Sequence, residues 1–139
     1  MQNQLGEGHY LTMFYGALNI ATRSLEYVNA GHCPPVLKHH PGTAETLGAT
    51  RPVLGLVARQ GTKSERIALH SGDCLLLYTD GITEASNSEG EEFGEERLTS
   101  LISSPGDLQA QHATVLKAVS QHSGGKLADD ATLLLVAIR

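Results

Sequence analysis

Three short segments hold the residue types that can do chemistry. The first is Tyr78-Thr79-Asp80-Gly81, where an acid follows an apolar run directly and precedes a glycine. A carboxylate fixed at a sheet rim is an oxygen ligand for a hard cation. The glycine lets the chain turn sharply or lets backbone approach an ion. The plainer alternative is a strand-end turn, since Asp-Gly is a common turn dipeptide. The second segment is Asp129-Asp130-Ala131-Thr132, ahead of the last apolar run. Adjacent carboxylates repel, and a cation relieves the repulsion; the alternative is a solvated loop end with Asp130 capping the turn. The third is Asn29-Ala30-Gly31-His32-Cys33-Pro34-Pro35. His32, held between a glycine and a rigid Pro-Pro, can ligate a metal or hydrogen-bond a phosphate oxygen, or bond only to local backbone. His39-His40, beside Pro41-Gly42, reads as a solvated loop, and His112 as a boundary histidine on a helix. His9, His70 and His122 show no partner in the sequence.

These segments need elements to position them. A polar, Gly-containing stretch over residues 1–9 reads as a frayed start. Tyr10 to Leu18 is mostly apolar and predicts a buried strand. Turn formers fill Asn19 to Ser24, and Leu25 to Asn29 resumes as a strand, so the pair reads as an antiparallel hairpin. Two prolines break the sheet at Pro34-Pro35. Val36 to Lys38 is a short strand that ends in a turn over 39–42, and Arg51 to Leu56 is an apolar loop. Glu65 to Leu69 alternates, with Ile67 and Leu69 on one face, and Ser71 to Asp73 is a turn. Cys74 to Tyr78 is apolar throughout and predicts a strand covered on both faces.

Residues 86–92 are polar and acidic, and Phe93 to Ile102 reads as a short helix. Asp107 to His122 is a longer helix. Leu108, His112, Val115, Leu116 and Val119 recur at helical spacing, with Asp107 as N-cap after Pro105-Gly106 and Ser123-Gly124-Gly125 as the stop. Ala131 to Ile138 is a closing strand. The two Asp segments therefore sit at opposite ends of their strands. On this reading antiparallel neighbours would hold them apart, and parallel strands or facing sheets would unite them.

The 139 residues, 40% apolar and 18% charged, suit one globular domain spanning 1–139. No run approaches the ~18 apolar residues of a membrane span. A net charge of −5 without a Lys/Arg cluster argues against nucleic acid. The first residues, Met1 to Gln4, lack a basic-then-apolar pattern, so the expected setting is cytoplasmic, with Cys33 and Cys74 as reduced thiols. Nucleophile-elbow, phosphate-loop, His-Glu-x-x-His and Cys-x-x-Cys motifs are absent. His32 and Cys33 are adjacent in an extended segment and point to opposite sides, which argues against a thiol nucleophile.

Five segments then occur in order: Phe14-Tyr15-Gly16, Tyr27 to His32, Gly72 to Ala85, Glu92 to Leu98, and Asp129 to Leu133. Together they resemble the metal-dependent protein Ser/Thr phosphatases (PPM type, type 2C-like), and within them the bacterial sporulation-stage-II-E and sigma-regulator branch. The resemblance implies an α+β fold, part of a β-sandwich of mostly antiparallel sheets flanked by helices. It implies Mn²⁺ or Mg²⁺ at one rim, ahead of Zn²⁺, and a substrate that is a phosphoprotein or small phosphoester. Asp80, with Gly81, matches one metal-ligand motif and Asp129 the other. His32 stands near the metal rim, where the broader family has an acid, and is the candidate catalytic residue. Glu84 matches a supporting position.

The match covers only the later part of the family's domain. The early Asp-Gly motif, whose Asp bridges two metals, is not among these residues, nor are the N-terminal strands and helix pair. Without that Asp, the remaining carboxylates would hold a metal weakly, or His32 would join Asp80 and Asp129 in a site favouring Zn²⁺ or Mn²⁺. A sheet face left uncovered would drive homodimerisation or element swapping. The expected function is a metal-dependent phosphoester hydrolase, weak or promiscuous. The alternatives are a non-catalytic half-domain that binds protein and a fragment without an independent role.

Overall fold

The structure, a computed structural model, describes residues 9–55, 61–103 and 107–139. The expectations placed on residues 1–8, on Leu56 and on Pro105-Gly106 lie outside these. In chain order the elements are β1 (Met13–Asn19), β2 (Ser24–Ala30), β3 (Val36–Lys38), β4 (Ala44–Thr46), β5 (Glu65–Ala68), β6 (Cys74–Tyr78), α1 (Asp80–Thr83), α2 (Glu95–Ser103), α3 (Leu108–His122) and β7 (Leu133–Ala137). The strands form two antiparallel sheets, ordered β1-β2-β5 and β4-β3-β6-β7, and the fold is α+β. Contacts group the chain into two compact units: Met1–Pro34 with Leu47–His70, and Pro35–Thr46 with Ser71–Arg139. No helix among the described residues is long and apolar enough to cross a membrane.

In the first unit β1 and β2 form the expected hairpin, running from Met13 opposite Ala30 to Asn19 opposite Ser24. Its turn is held by Thr22 N donating to Asn19 Oδ1 at 2.9 Å and by Arg23 in the left-handed region, φ 46°. Leu25, Tyr27 and Ala30 on β2 are buried, and Phe14 stacks on Tyr27 with centroids 5.5 Å apart. The expectation of a buried first strand is corrected. Tyr15 is 61% and Leu18 51% exposed. Apolar composition makes a good strand, but β1 lies at the sheet edge, and coverage depends on a neighbour.

In the second unit β6 is central, between β3 and β7. Its Leu75, Leu76 and Tyr78 are buried with Val36 and Leu37 of β3. Helices α2 and α3 pack on each other, α2 also meets β3 and α3 meets β7. Asp107 caps α3 as expected, its carboxylate accepting from Ala110 N at 2.8 Å. Gly124 and Gly125, at φ 63° and 76°, end it. The inward stripe is Gln111, Val115 and Val119, while Leu116 is 43% exposed. The predicted face is thus rotated, because the buried row follows i, i+4, i+8 from Gln111. In β7, at the sheet edge, Leu134 and Ala137 are exposed and the other three residues are half-buried.

His39 is a second correction. It is no solvated loop residue. Lys38 lies opposite Cys74 in the β3–β6 register, so the next pair outward is His39 and Asp73. His39 Nδ1 is 3.1 Å from Asp73 Oδ2, and Nε2 is 2.7 Å from Glu45 Oε1. Asp73 is buried and also accepts from His40 N at 3.1 Å. The Glu45 hydrogen bond raises the His39 pKa above 6.5, Asp73 adds to the rise, and partial burial opposes it. A pKa raised on folding stabilises the fold fully below pH 6.5 and loses that contribution as pH climbs through the folded value. Urea denaturation from pH 6 to pH 9 is therefore expected to show a falling midpoint, with the fall reduced in His39→Gln.

Candidate metal centre

Tyr78 pairs with Leu133 as the last rung between β6 and β7. The end of one antiparallel strand lies beside the beginning of its neighbour. Asp80, just past β6, and Asp129-Asp130, just before β7, consequently share one rim. The expectation that antiparallel pairing would separate the two segments is corrected by this register.

Thr79 seals the junction. Its N–H donates to Thr132 O at 3.1 Å, its hydroxyl accepts from Thr132 N at 2.9 Å, and the same hydroxyl donates to Asp130 O at 3.3 Å. Thr79 is also the N-cap of α1, yet it makes no side-chain cap bond there. Gly81 is buried against the other segment. A Cβ on it would run into Asp130 O and lie 2.9 Å from Asp130 C. Only a residue without a side chain allows that approach. Asp80 opens α1, and its carbonyl accepts from Glu84 N at 2.7 Å and from the Thr83 hydroxyl at 3.3 Å. Asp129 Oδ1 accepts from Asp130 N at 2.7 Å.

Asp80, Asp129 and Asp130 are all exposed. The rim therefore offers hard carboxylate oxygens, a donor set that suits Mg²⁺ or Mn²⁺. Among the described residues, no trio of His, Cys, Asp or Glu ligand atoms lying within 4.8 Å of one another includes these three acids. One or two exposed carboxylates suit an ion that keeps several waters.

His32 belongs to the first unit, whereas Asp80, Gly81 and Asp129 belong to the second. Its backbone is held by Asn29, which is fully buried. Asn29 Oδ1 accepts from His32 N at 2.9 Å, and Nδ2 donates to His32 O and to Leu47 O, each at 3.1 Å. Gly31 sits at φ 70° with Val53 packed where a Cβ would point. His32 is half-buried. Asn29 and Thr79 stand within the sequence motifs with no role evident from residue type or spacing alone. The signal for Thr79 was present: a threonine stands in both Asp motifs, at 79 and 132.

The family model for stage II sporulation protein E (SpoIIE) matches residues 1–139, the whole chain. The chain belongs to the SpoIIE family. Phosphoserine phosphatase RsbP of Bacillus subtilis is 36% identical over 87 residues, 63% of this chain and 22% of RsbP. Protein IcfG of Synechocystis is 27% identical over 129 residues, 91% of this chain and 20% of IcfG. The phosphatase domain of SpoIIE from Bacillus subtilis (Mn presoaked) superposes with a TM-score of 0.70 at 19% identity, over 91% of this chain and 56% of that one. This SpoIIE-family chain thus spans about a fifth of those two curated relatives and just over half of the solved domain.

In this SpoIIE-family fold, Gly81→Ala forces a methyl into the Asp130 carbonyl. It is expected to cost about 1–3 kcal/mol in chemical denaturation, as overpacking does. Gly48→Ala, in open space, is expected to stay within about 0.5 kcal/mol.

Proposed function

We propose that residues 1–139 are part of one phosphatase domain and carry metal-dependent phosphoester hydrolysis, with phosphoserine or phosphothreonine in a protein partner as substrate. The observation that carries this reading is the rim where Thr79 and Gly81 bind Asp80 to the Asp129-Asp130 segment. Family membership and the phosphoserine phosphatase relative support it. Asp80 and Asp129 would hold Mn²⁺ or Mg²⁺, and Gly81 keeps the two segments close enough to share it. Bound there, the cation supplies Lewis-acid polarisation of a phosphoryl oxygen and lowers the pKa of a water. Thr79 fixes the spacing of the two carboxylate segments. His32 is proposed as a phosphate-binding residue of its own unit, on a backbone clamped by Asn29. A cytoplasmic setting, where a buried thiol such as Cys74 stays reduced, is part of this reading. The apolar residues exposed along β1 support association with a second copy of the chain.

The second reading is a binding half-domain that recognises a phosphoprotein without hydrolysing it. Among the described residues the rim acids form no compact trio of ligand groups, which favours it. Hydrolysis of a chromogenic phosphomonoester by the purified chain separates the two. Activity is expected with Mn²⁺ or Mg²⁺ and not with EDTA. Asp80→Asn is expected to lower it by more than about 100-fold, beyond the loss typical of a ligand's supporting partner. A folded chain inactive with every metal would favour the binding module.

A further inference from the structure

Helix α1 has four residues, too few to hold itself. Yet it carries Asp80, and its order has a visible source. The chain leaves α1, turns at Asn87–Glu91 and comes back. Asn87 Oδ1 accepts from Glu89 N and Glu91 N, each at 2.9 Å. On the return limb Phe93 N donates to Ala85 O and Gly94 N to Thr83 O, each at 2.9 Å. Thr83 is the last residue of α1.

Arg97, in the first turn of α2, grips that limb with both ends of its fork. Its Nη1 donates to Glu92 O at 2.8 Å and to Phe93 O at 3.2 Å, and its Nη2 donates to Glu91 Oε1 at 2.6 Å. The guanidinium holds the Glu91 carboxyl below its ordinary pKa, chiefly through that hydrogen bond. From α3, His122 Nε2 donates to Glu91 O at 2.8 Å, and its ring meets Phe93 edge-on. Two helices thus clamp one limb, and the limb ties down α1. Sequence showed His122 without a partner and Arg97 only as part of a motif.

We infer that Arg97 is a positioning residue: through the Glu91–Gly94 limb it sets α1 and hence the Asp80 carboxylate. Its bearing on catalysis rests on the metal-dependent reading above. Surface ion pairs contribute little to stability by themselves. Arg97 differs because three acceptors on one limb share one planar fork, a geometry lysine cannot reproduce.

The test uses the full chain, with Arg97→Ala, Arg97→Lys and Asp80→Asn, read by amide hydrogen exchange and by Mn²⁺ titration. In Arg97→Ala the Glu84 and Gly94 amides are expected to exchange at least about 10-fold faster, while Leu75 to Leu77 keep their protection. Mn²⁺ affinity is expected to fall about 10–100-fold, with partial recovery in Arg97→Lys. Faster exchange at Gly94 without a change at Glu84 overturns the inference, because the limb then does not hold α1. A uniform loss of protection across the unit, or full recovery by lysine, also overturns it. If wild-type chain and Asp80→Asn bind Mn²⁺ alike, the metal reading fails. The exchange at Glu84 still decides whether Arg97 sets α1.

Discussion

The second unit depends on the pairing of β6 with β7. Five residue pairs, from Cys74 opposite Ala137 to Tyr78 opposite Leu133, join two apolar strands. The β6 side of that ladder is buried at Leu75, Leu76 and Tyr78. Each such side chain contributes on the order of 1.5–3 kcal/mol when withdrawn from water. The ladder fixes both of its ends. At one end Gly72 N and Ile138 N close the pairing by donating to Ile138 O and Asp73 O, beside the His39–Asp73 contact. At the other, Thr79 and Thr132 bond across the gap and leave three acids on the rim. A shift of one residue in this register would turn every β6 side chain to the other face and unpair the threonines.

Much of this was legible. Val36–Lys38 and Cys74–Tyr78 appear with the predicted bounds, because turn formers flank apolar runs on both sides. Helix α3 was legible from its cap and its glycine stop. What stayed hidden depends on residues far apart in sequence. Strand β4, Ala-Glu-Thr, has little strand character of its own and forms by pairing with β3. Helix α1 is shorter than any periodicity can show. The exposure of β1 follows from its place at the sheet edge. His39 meets Asp73 across 34 residues, a contact set by register and not by local pattern. The acids of the rim were legible as motifs, and their meeting was not: it required recognising that antiparallel neighbours join the end of one strand to the beginning of the next.

The rim and its support divide the work. The carboxylates of Asp80, Asp129 and Asp130 stand exposed to solvent. The groups that hold them in place are backbone, threonine and glycine, none of which must carry charge. The strap from Asn87 to Gly94 adds a second layer, anchored on α2 and α3 and tied to the end of α1. The acid side chains stay solvated while their backbone is fixed from two directions. On the proposed reading, that combination would suit an ion that exchanges ligands with water.

The central claim is that the β6–β7 register makes one cation site from two separated segments. The most direct measurement is paramagnetic broadening of amide resonances by substoichiometric Mn²⁺ in the full chain. The account predicts that the amides of Asp80 to Ile82 and of Asp129 to Ala131 broaden together and most strongly, while those of Gly72 and Ile138, at the far end of the β6–β7 ladder, broaden least. Broadening of one segment without the other, or broadening centred elsewhere in the chain, would contradict it.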